Sequence, residues 1–209
     1  MSLLDSLGQT GISLIDRLNG TFKPTPQLSY EQPAPDAEDP FAALDPQIRS
    51  LKKSGYTVDR VHKAIDKMTD VPDKEGAKQY ASLIYAPLEL KDRKMANVSG
   101  YTASSSETDA RPREMASQKE VYKGAIATGD RSIPFGTKVL FPGIGIFTVE
   151  DRMNKRYDSA AKKGQNHFDI FFNNKEDALK FGRKNLPYYI IDSETEKKLR
   201  EYGVGDIKL

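Results

Sequence analysis

The 209-residue chain contains no cysteine, which excludes disulfide staples, thiolate metal sites and thiol nucleophiles. Histidine is scarce: His62 and His167 are the two present, far apart and never helix-spaced, so neither a metal centre nor any other cofactor is expected. No apolar run approaches the roughly 20 residues that a bilayer-crossing helix needs, so no transmembrane segment is expected. The N-terminal stretch MSLLDSLGQTGISLIDRLNG lacks the basic start, unbroken apolar core and small-residue cleavage site of a secretory signal, and Asp5 interrupts it early. Action outside a cytoplasm would then require another route of delivery. A GxSxG elbow is missing around Ser104, Ser105 and Ser106, which leaves a polar loop rather than a nucleophile. The glycines of GIGIF precede no helix and form no phosphate loop.

What is present describes a water-exposed chain with enough apolar residues for one core. Charged residues make up 30% and the apolar and aromatic set 37%. The formal charge of +2 divides unevenly: residues 1–93 carry 12 Lys/Arg against 14 Asp/Glu, and residues 94–209 carry 20 against 16. A mildly basic second half tolerates an anionic polymer such as cell wall, but it is also an ordinary solvated surface, and nucleic acid is not an expected partner.

Organisation changes along the chain. Residues 1–20 place Leu3, Leu4, Leu7, Ile12, Leu14, Ile15 and Leu18 near helical spacing, an amphipathic helix that needs a partner and is expected to dock on another protein. Residues 21–46 hold half of the twelve prolines together with acidic residues and are expected to form an extended linker. Residues 47–97 are expected to be helical: Thr57 caps a stripe of Val58, Val61, Ile65 and Met68, and a second helix spans Lys74 to Tyr85, before Pro87. From Val98 the pattern becomes short strands broken by glycine and proline, the signature of a small closed barrel or sandwich over residues 98–209. A helix capped by Asn174 and ended by Gly182, a strand at LPYYIID, and a helix opened by a Ser193–Glu196 capping box complete it.

Three aspartates stand out. In IFTVEDRMN, Phe147 and Val149 alternate like the buried face of a strand, and Asp151 occupies the next place on that face. In HFDIFF, Asp169 lies between Phe168 and Ile170 and must project from the opposite face, beside Phe171. Asp130 follows AIATG in a turn, where an aspartate commonly bonds backbone N–H groups. Carboxyls held on rigid strands among apolar neighbours suit general acid–base catalysis, because partial desolvation keeps a proton available near neutrality.

Read together, YTASSSETD, GAIATGDRSIPFGTKVLFPGIGIFTVED and FDIFFNNKEDALKFGRK resemble the 3D domain, named for three aspartates and found in membrane-bound lytic transglycosylase A and in stationary-phase cell-wall proteins of bacteria. The likeness covers about residues 98–192. It implies a mainly β fold, a six-stranded double-psi β-barrel with short peripheral helices, preceded here by the α-helical N-terminal region and the proline-rich linker. It also implies peptidoglycan glycan strands as substrate, with Asp151 as the acid that protonates the glycosidic oxygen between N-acetylmuramic acid and N-acetylglucosamine. The same group then accepts the proton of the C6 hydroxyl as a 1,6-anhydro ring closes. Asp169 and Asp130 match the other two aspartates, and Tyr101 and Thr102 would line the groove, although Tyr101 fits a core position equally well.

The chain departs from the family where Arg152, Met153 and Asn154 replace the usual Thr-Gly after the acid. Arg152 would bind a substrate carboxylate or N-acetyl oxygen, or else weaken Asp151 as an acid. Residues 1–97 do not resemble the second domain of the transglycosylase. The expected function is therefore a lytic transglycosylase or a related peptidoglycan glycosidase, with a non-catalytic wall-binding or structural virion module as the alternative. A docking helix on a tether without a secretory signal is expected of a bacteriophage component, placed in the virion or in the host wall or periplasm.

Overall fold

The structure, a computed structural model, describes residues 25–29, 40–104 and 112–209. The docking helix expected over residues 3–19 lies outside them, as does most of the expected linker. Six strands form a closed barrel: β1 (Lys94–Tyr101), β2 (Ala125–Thr128), β3 (Lys138–Phe141), β4 (Gly145–Arg152), β5 (Asn166–Phe171) and β6 (Lys184–Ile191). Around the barrel the order is β1-β5-β2-β4-β3-β6. The β1–β5 and β2–β4 pairs are parallel, and the other pairs are antiparallel.

Closure follows from where the alternating apolar residues point. Val98, Ile126, Val139, Phe147, Val149, Phe168, Ile170, Leu186 and Tyr188 share one buried cluster. Phe141 meets Phe147 and Phe168 edge-on, each with ring centroids 5.6 Å apart, and Phe168 meets Tyr188 at 5.1 Å. Burying an aromatic side chain is worth about 1.5–3 kcal/mol and each edge-on pair adds about 0.5–1.5 kcal/mol, so this stack is the barrel's main apolar investment. The buried Tyr188 hydroxyl accepts a hydrogen bond from Asn166 Nδ2, so its polar tip is not stranded.

Three helices precede the barrel: α1 (Asp45–Lys53), α2 (Val58–Lys67) and α3 (Lys74–Tyr85). Thr57 stands at the N-cap of α2, and α3 begins where Asp73 accepts a hydrogen bond from Gly76 N and ends one residue before Ala86-Pro87. Their apolar faces meet in a second cluster that includes Val61, Ile65, Met68, Ala77, Tyr80 and Ile84. Phe41, at 4% exposure, and the fully buried Leu44 belong to the same cluster. The expected linker therefore ends before residue 40, because its last apolar residues are core, and Pro46 sits in the first turn of α1, where its missing N–H costs nothing. Residues 25–29 also pack here: Pro26 is buried, and Gln47 bonds both the N–H and the carbonyl of Ser29 at 3.0 and 2.8 Å.

The helices sit on the barrel through close backbone approach. Gly76 in α3 faces Gly143 in the β3–β4 turn, which has φ of +76°. Gln79 Nε2 donates to Asp206 O at 2.8 Å and its Oε1 accepts from Gly205 N at 3.2 Å, which ties α3 to the C-terminal segment.

Two boundaries differ from expectation. The first barrel strand begins at Lys94 rather than at residue 98, since Ala96 already packs in the barrel core. The last helix, α6 (Ser193–Glu201), is capped one residue earlier, with Asp192 accepting from Thr195 N at 2.7 Å. A 3₁₀ turn at Lys155–Tyr157, the short α4 (Asp158–Lys162) and α5 (Lys175–Phe181, capped by Asn174) complete the fold. The barrel is β, but helices are at least as prominent around it, so the described chain is mixed rather than mainly β. No helix among the described residues is long and apolar enough to cross a membrane.

Candidate active site

The two strand-borne aspartates share one face of the sheet, and a β-bulge puts them there. Ile126 of β2 pairs with Val149 of β4, yet the next β2 residue, Ala127, pairs with Asp151. One residue of β4, Glu150, is therefore extra, and alternation is interrupted at that point. Strict alternation places Asp151 on the face of Phe147 and Val149, which is the barrel interior. The bulge corrects this: Asp151 falls on the face of Ala127, opposite the buried Ile126. Ala127 pairs on its other side with Asp169 of β5, and Asp169 pairs with Ser99 of β1. Ser99, Asp169, Ala127 and Asp151 thus form one row across four adjacent strands, while Phe168 and Ile170 point inward as expected.

That row lies in a groove of about 670 Å³ lined by Tyr101, Ala127, Asp151, Asp169 and, on its other wall, the Met115–Ala116 and Arg156–Tyr157 segments. Asp151 is half-buried, and its Oδ1 is fixed by two backbone donors, Ala116 N at 2.9 Å and Arg152 N at 2.8 Å. Oδ2 is left toward the groove, where the Tyr101 hydroxyl approaches to 3.5 Å. Burial, with the charges of Asp151 and Asp169, pushes the Tyr101 hydroxyl well above its ordinary pKa, so it stays a neutral donor. Tyr101 lines the groove and also touches Phe171 edge-on at 5.6 Å, so it serves groove and packing together.

Asp169 has different surroundings. Burial pushes its carboxyl above the ordinary aspartate pKa, opposed by the Ser99 hydroxyl, which donates to Oδ1, and by the charges of Arg183, His167 and Arg156. The two carboxyls thus stand in one groove with different hydrogen-bond partners, a hydroxyl for Asp169 and backbone N–H groups for Asp151.

The segment that supplies Ala116 N is anchored from beneath. Glu150, whose side chain is 2% exposed, accepts from Lys119 Nζ at 2.6 Å and from the Tyr122 hydroxyl at 3.1 Å, and its carbonyl accepts from Ser117 N at 3.0 Å. Burial alone would raise the Glu150 pKa, but the Lys119 and Tyr122 hydrogen bonds and the Lys119 charge bring it below its ordinary value. The bulge residue and the acid beside it therefore hold the same loop.

The remaining expected residues lie differently. Asp130 is not among the groove-lining residues: its Oδ1 accepts from Ser132 N at 2.9 Å and Ser132 Oγ at 2.6 Å, the turn-forming arrangement. Thr102 is buried and does not line the groove. Arg152 lines it, but its Nη1 and Nη2 donate to the carbonyls of Asp130 and Ile133 at 3.1 and 2.7 Å, and its guanidinium lies 4.3 Å over Phe135. Burial, with the charge of Arg131, lowers its pKa. Ser99, Ala116 and Arg156 are additional. Ser99 was detectable as the same-face neighbour of Tyr101 two residues away, whereas Ala116 acts through its backbone and leaves no signal in sequence. Among the described residues, no group of three or more His, Asp or Glu could hold a metal ion. No family model matches the chain, and no curated protein does.

Proposed function

We propose that the protein cleaves the glycan strands of peptidoglycan as a lytic transglycosylase, on a double-psi barrel of the 3D-domain type, with Asp151 as the acid and base. The observation that carries this reading is the placement of Asp151: Oδ1 fixed by two backbone N–H groups, Oδ2 turned to a groove of about 670 Å³, and a second acid in the same row. The closed six-stranded barrel with two parallel pairs is compatible with that architecture.

The chemistry needs one well-placed carboxyl. Protonated Oδ2 gives its proton to the glycosidic oxygen as the C1–O bond breaks. The C6 hydroxyl of the same muramic residue then attacks C1, and the Asp151 carboxylate takes the hydroxyl proton, which closes the 1,6-anhydro ring and restores the acid. No second carboxylate is needed as nucleophile, unlike in retaining glycosidases, where two stand about 5 Å apart. Tyr101 steadies Oδ2 by donating to it while it is charged, and Asp169 with Ser99 shapes the adjoining part of the groove.

Mass spectrometry of purified sacculi after incubation tests this directly. Anhydro-muropeptides that disappear with Asp151→Asn support the proposal, since loss of a general acid lowers rate by about 10²–10⁴. Reducing ends in their place mean that water is the acceptor, and sedimentation with wall without any product means a binding module. The proposal includes membership of a bacteriophage particle through residues 3–19, which immunoblotting of purified virions checks.

A further inference from the structure

The groove has a cation that forms no ion pair among the described residues. Two of its lining residues are arginines. Arg152 spends Nη1 and Nη2 on the Asp130 and Ile133 carbonyls. Arg156 is placed otherwise. Its backbone N–H donates to Asn154 Oδ1 at 3.1 Å at the start of the 3₁₀ turn, and that turn is held from both ends by Arg131, which donates to Met153 O at 2.9 Å and to Asp158 at 3.0 Å. The guanidinium lies 5.0 Å over the Tyr157 ring, and one Nη reaches the Tyr157 hydroxyl at 3.3 Å. The residue is exposed and makes no ion pair with any described carboxylate.

An arginine stacked on a ring has already lost much of its rotamer freedom, and its remaining N–H groups form a fork suited to a carboxylate. The rest of the groove repels such a group, because Asp151, Asp169 and Glu114 line it. An anionic part of a bound molecule is therefore driven toward Arg156. If the substrate is the peptidoglycan strand, as the proposed function has it, the sugars themselves are uncharged and the lactyl carboxyl is consumed in the amide to the stem peptide. The free carboxylates belong to that peptide. We propose that Arg156 binds a stem-peptide carboxylate, so that the groove selects strands whose stem peptides carry a free carboxylate.

The test compares intact sacculi with sacculi whose free stem-peptide carboxylates have been converted to methylamides with a carbodiimide and excess methylamine, for the wild-type full chain, Arg156→Gln and Arg156→Lys. Two quantities are measured on each: kcat/KM for release of glycan fragments, and the fraction of protein that co-sediments. The wild type is expected to favour the material with free carboxylates by about five- to tenfold, the size of one charge-assisted pair. Arg156→Gln should bring that ratio close to one, and Arg156→Lys should restore part of it. A wild-type ratio near one, or a ratio that Arg156→Gln leaves at the wild-type value, overturns the inference. Absence of cleavage on both materials counts against the glycan-cutting reading alone, and the co-sedimentation ratio then decides the role of Arg156.

Discussion

Ala127 of β2 pairs with Asp151 of β4, although the residue before Ala127 pairs with Val149, so Glu150 is the residue by which β4 slips past β2. The slip moves an acid from the barrel interior, where an unpaired carboxylate costs several kcal/mol, to a row it shares with Asp169. It also buries Glu150 against Lys119 and Tyr122, beneath the loop whose Ala116 N–H holds Asp151. Bulges that re-aim a side chain beside a cleft have this effect generally.

Glu150→Ala should therefore damage stability and site geometry together. Loss of hydrogen bonds to a buried charged group predicts destabilisation of about 1.5–3 kcal/mol in urea titrations. The effect depends on pH. The folded pKa of Glu150 is lowered, so its contribution is present above the unfolded value of about 4.3 and is lost as pH falls through the folded value. The gap between wild type and variant should accordingly close in acid. An undiminished gap at low pH would show that the carboxylate is not what holds the loop.

Tyr101→Phe removes the hydroxyl that approaches Asp151 Oδ2 and leaves the ring that packs on Phe171. Thermal stability should stay near that of the wild type. Turnover should fall by about tenfold, as expected from losing one hydrogen bond to a charged group, with the loss in kcat rather than KM. Equal turnover would mean that the hydroxyl plays no part in holding Oδ2.

Asp169→Asn should stabilise the protein while impairing the site. Burial raises the Asp169 pKa, so the folded state binds the proton more tightly than the unfolded state, and stability declines as pH rises through the folded value. Asparagine stays neutral throughout and still accepts from Ser99. The variant should melt higher than wild type at neutral pH, with the difference vanishing below the ordinary aspartate pKa of about 3.9. A variant that melts lower at pH 7 would mean that the charge is welcome there.

Much of this was legible in the chain, and the failures share a cause. The barrel strands after Val98 and the helices α5 and α6 follow from glycine and proline punctuation with period-2 apolar runs, and Asp169 was placed correctly because Phe168 and Ile170 on either side define its face. Asp151 was placed on the wrong face because a bulge inserts a residue without changing composition. Only the pairing partner, Ala127, reveals it. Phe41 and Leu44 were assigned to the linker because prolines and acids surround them, and their burial depends on α1–α3 folding over them. The Asp192 cap was missed because a neighbouring Ser193–Glu196 spacing satisfied the local rule first.

The docking of the helices on the barrel provides the last prediction. A Cβ added to Gly143 would come within 2.1 Å of the Phe41 ring, and one added to Gly76 within 2.7 Å of Gly143 O. Gly143 also has φ of +76°, a conformation that side chains resist. Either alanine substitution must displace the Phe41 ring or the α3 backbone from the β3–β4 turn, at about 1–3 kcal/mol each. Because both act on one contact, the second substitution should add little once the first has opened it, and the double variant should fall well short of the sum. None of the groove-lining residues comes from α1–α3, so activity measured below the melting transition should change much less than stability does. Full additivity would mean that the two glycines do not meet, and loss of activity in parallel with stability would mean that the helices help to hold the groove in shape.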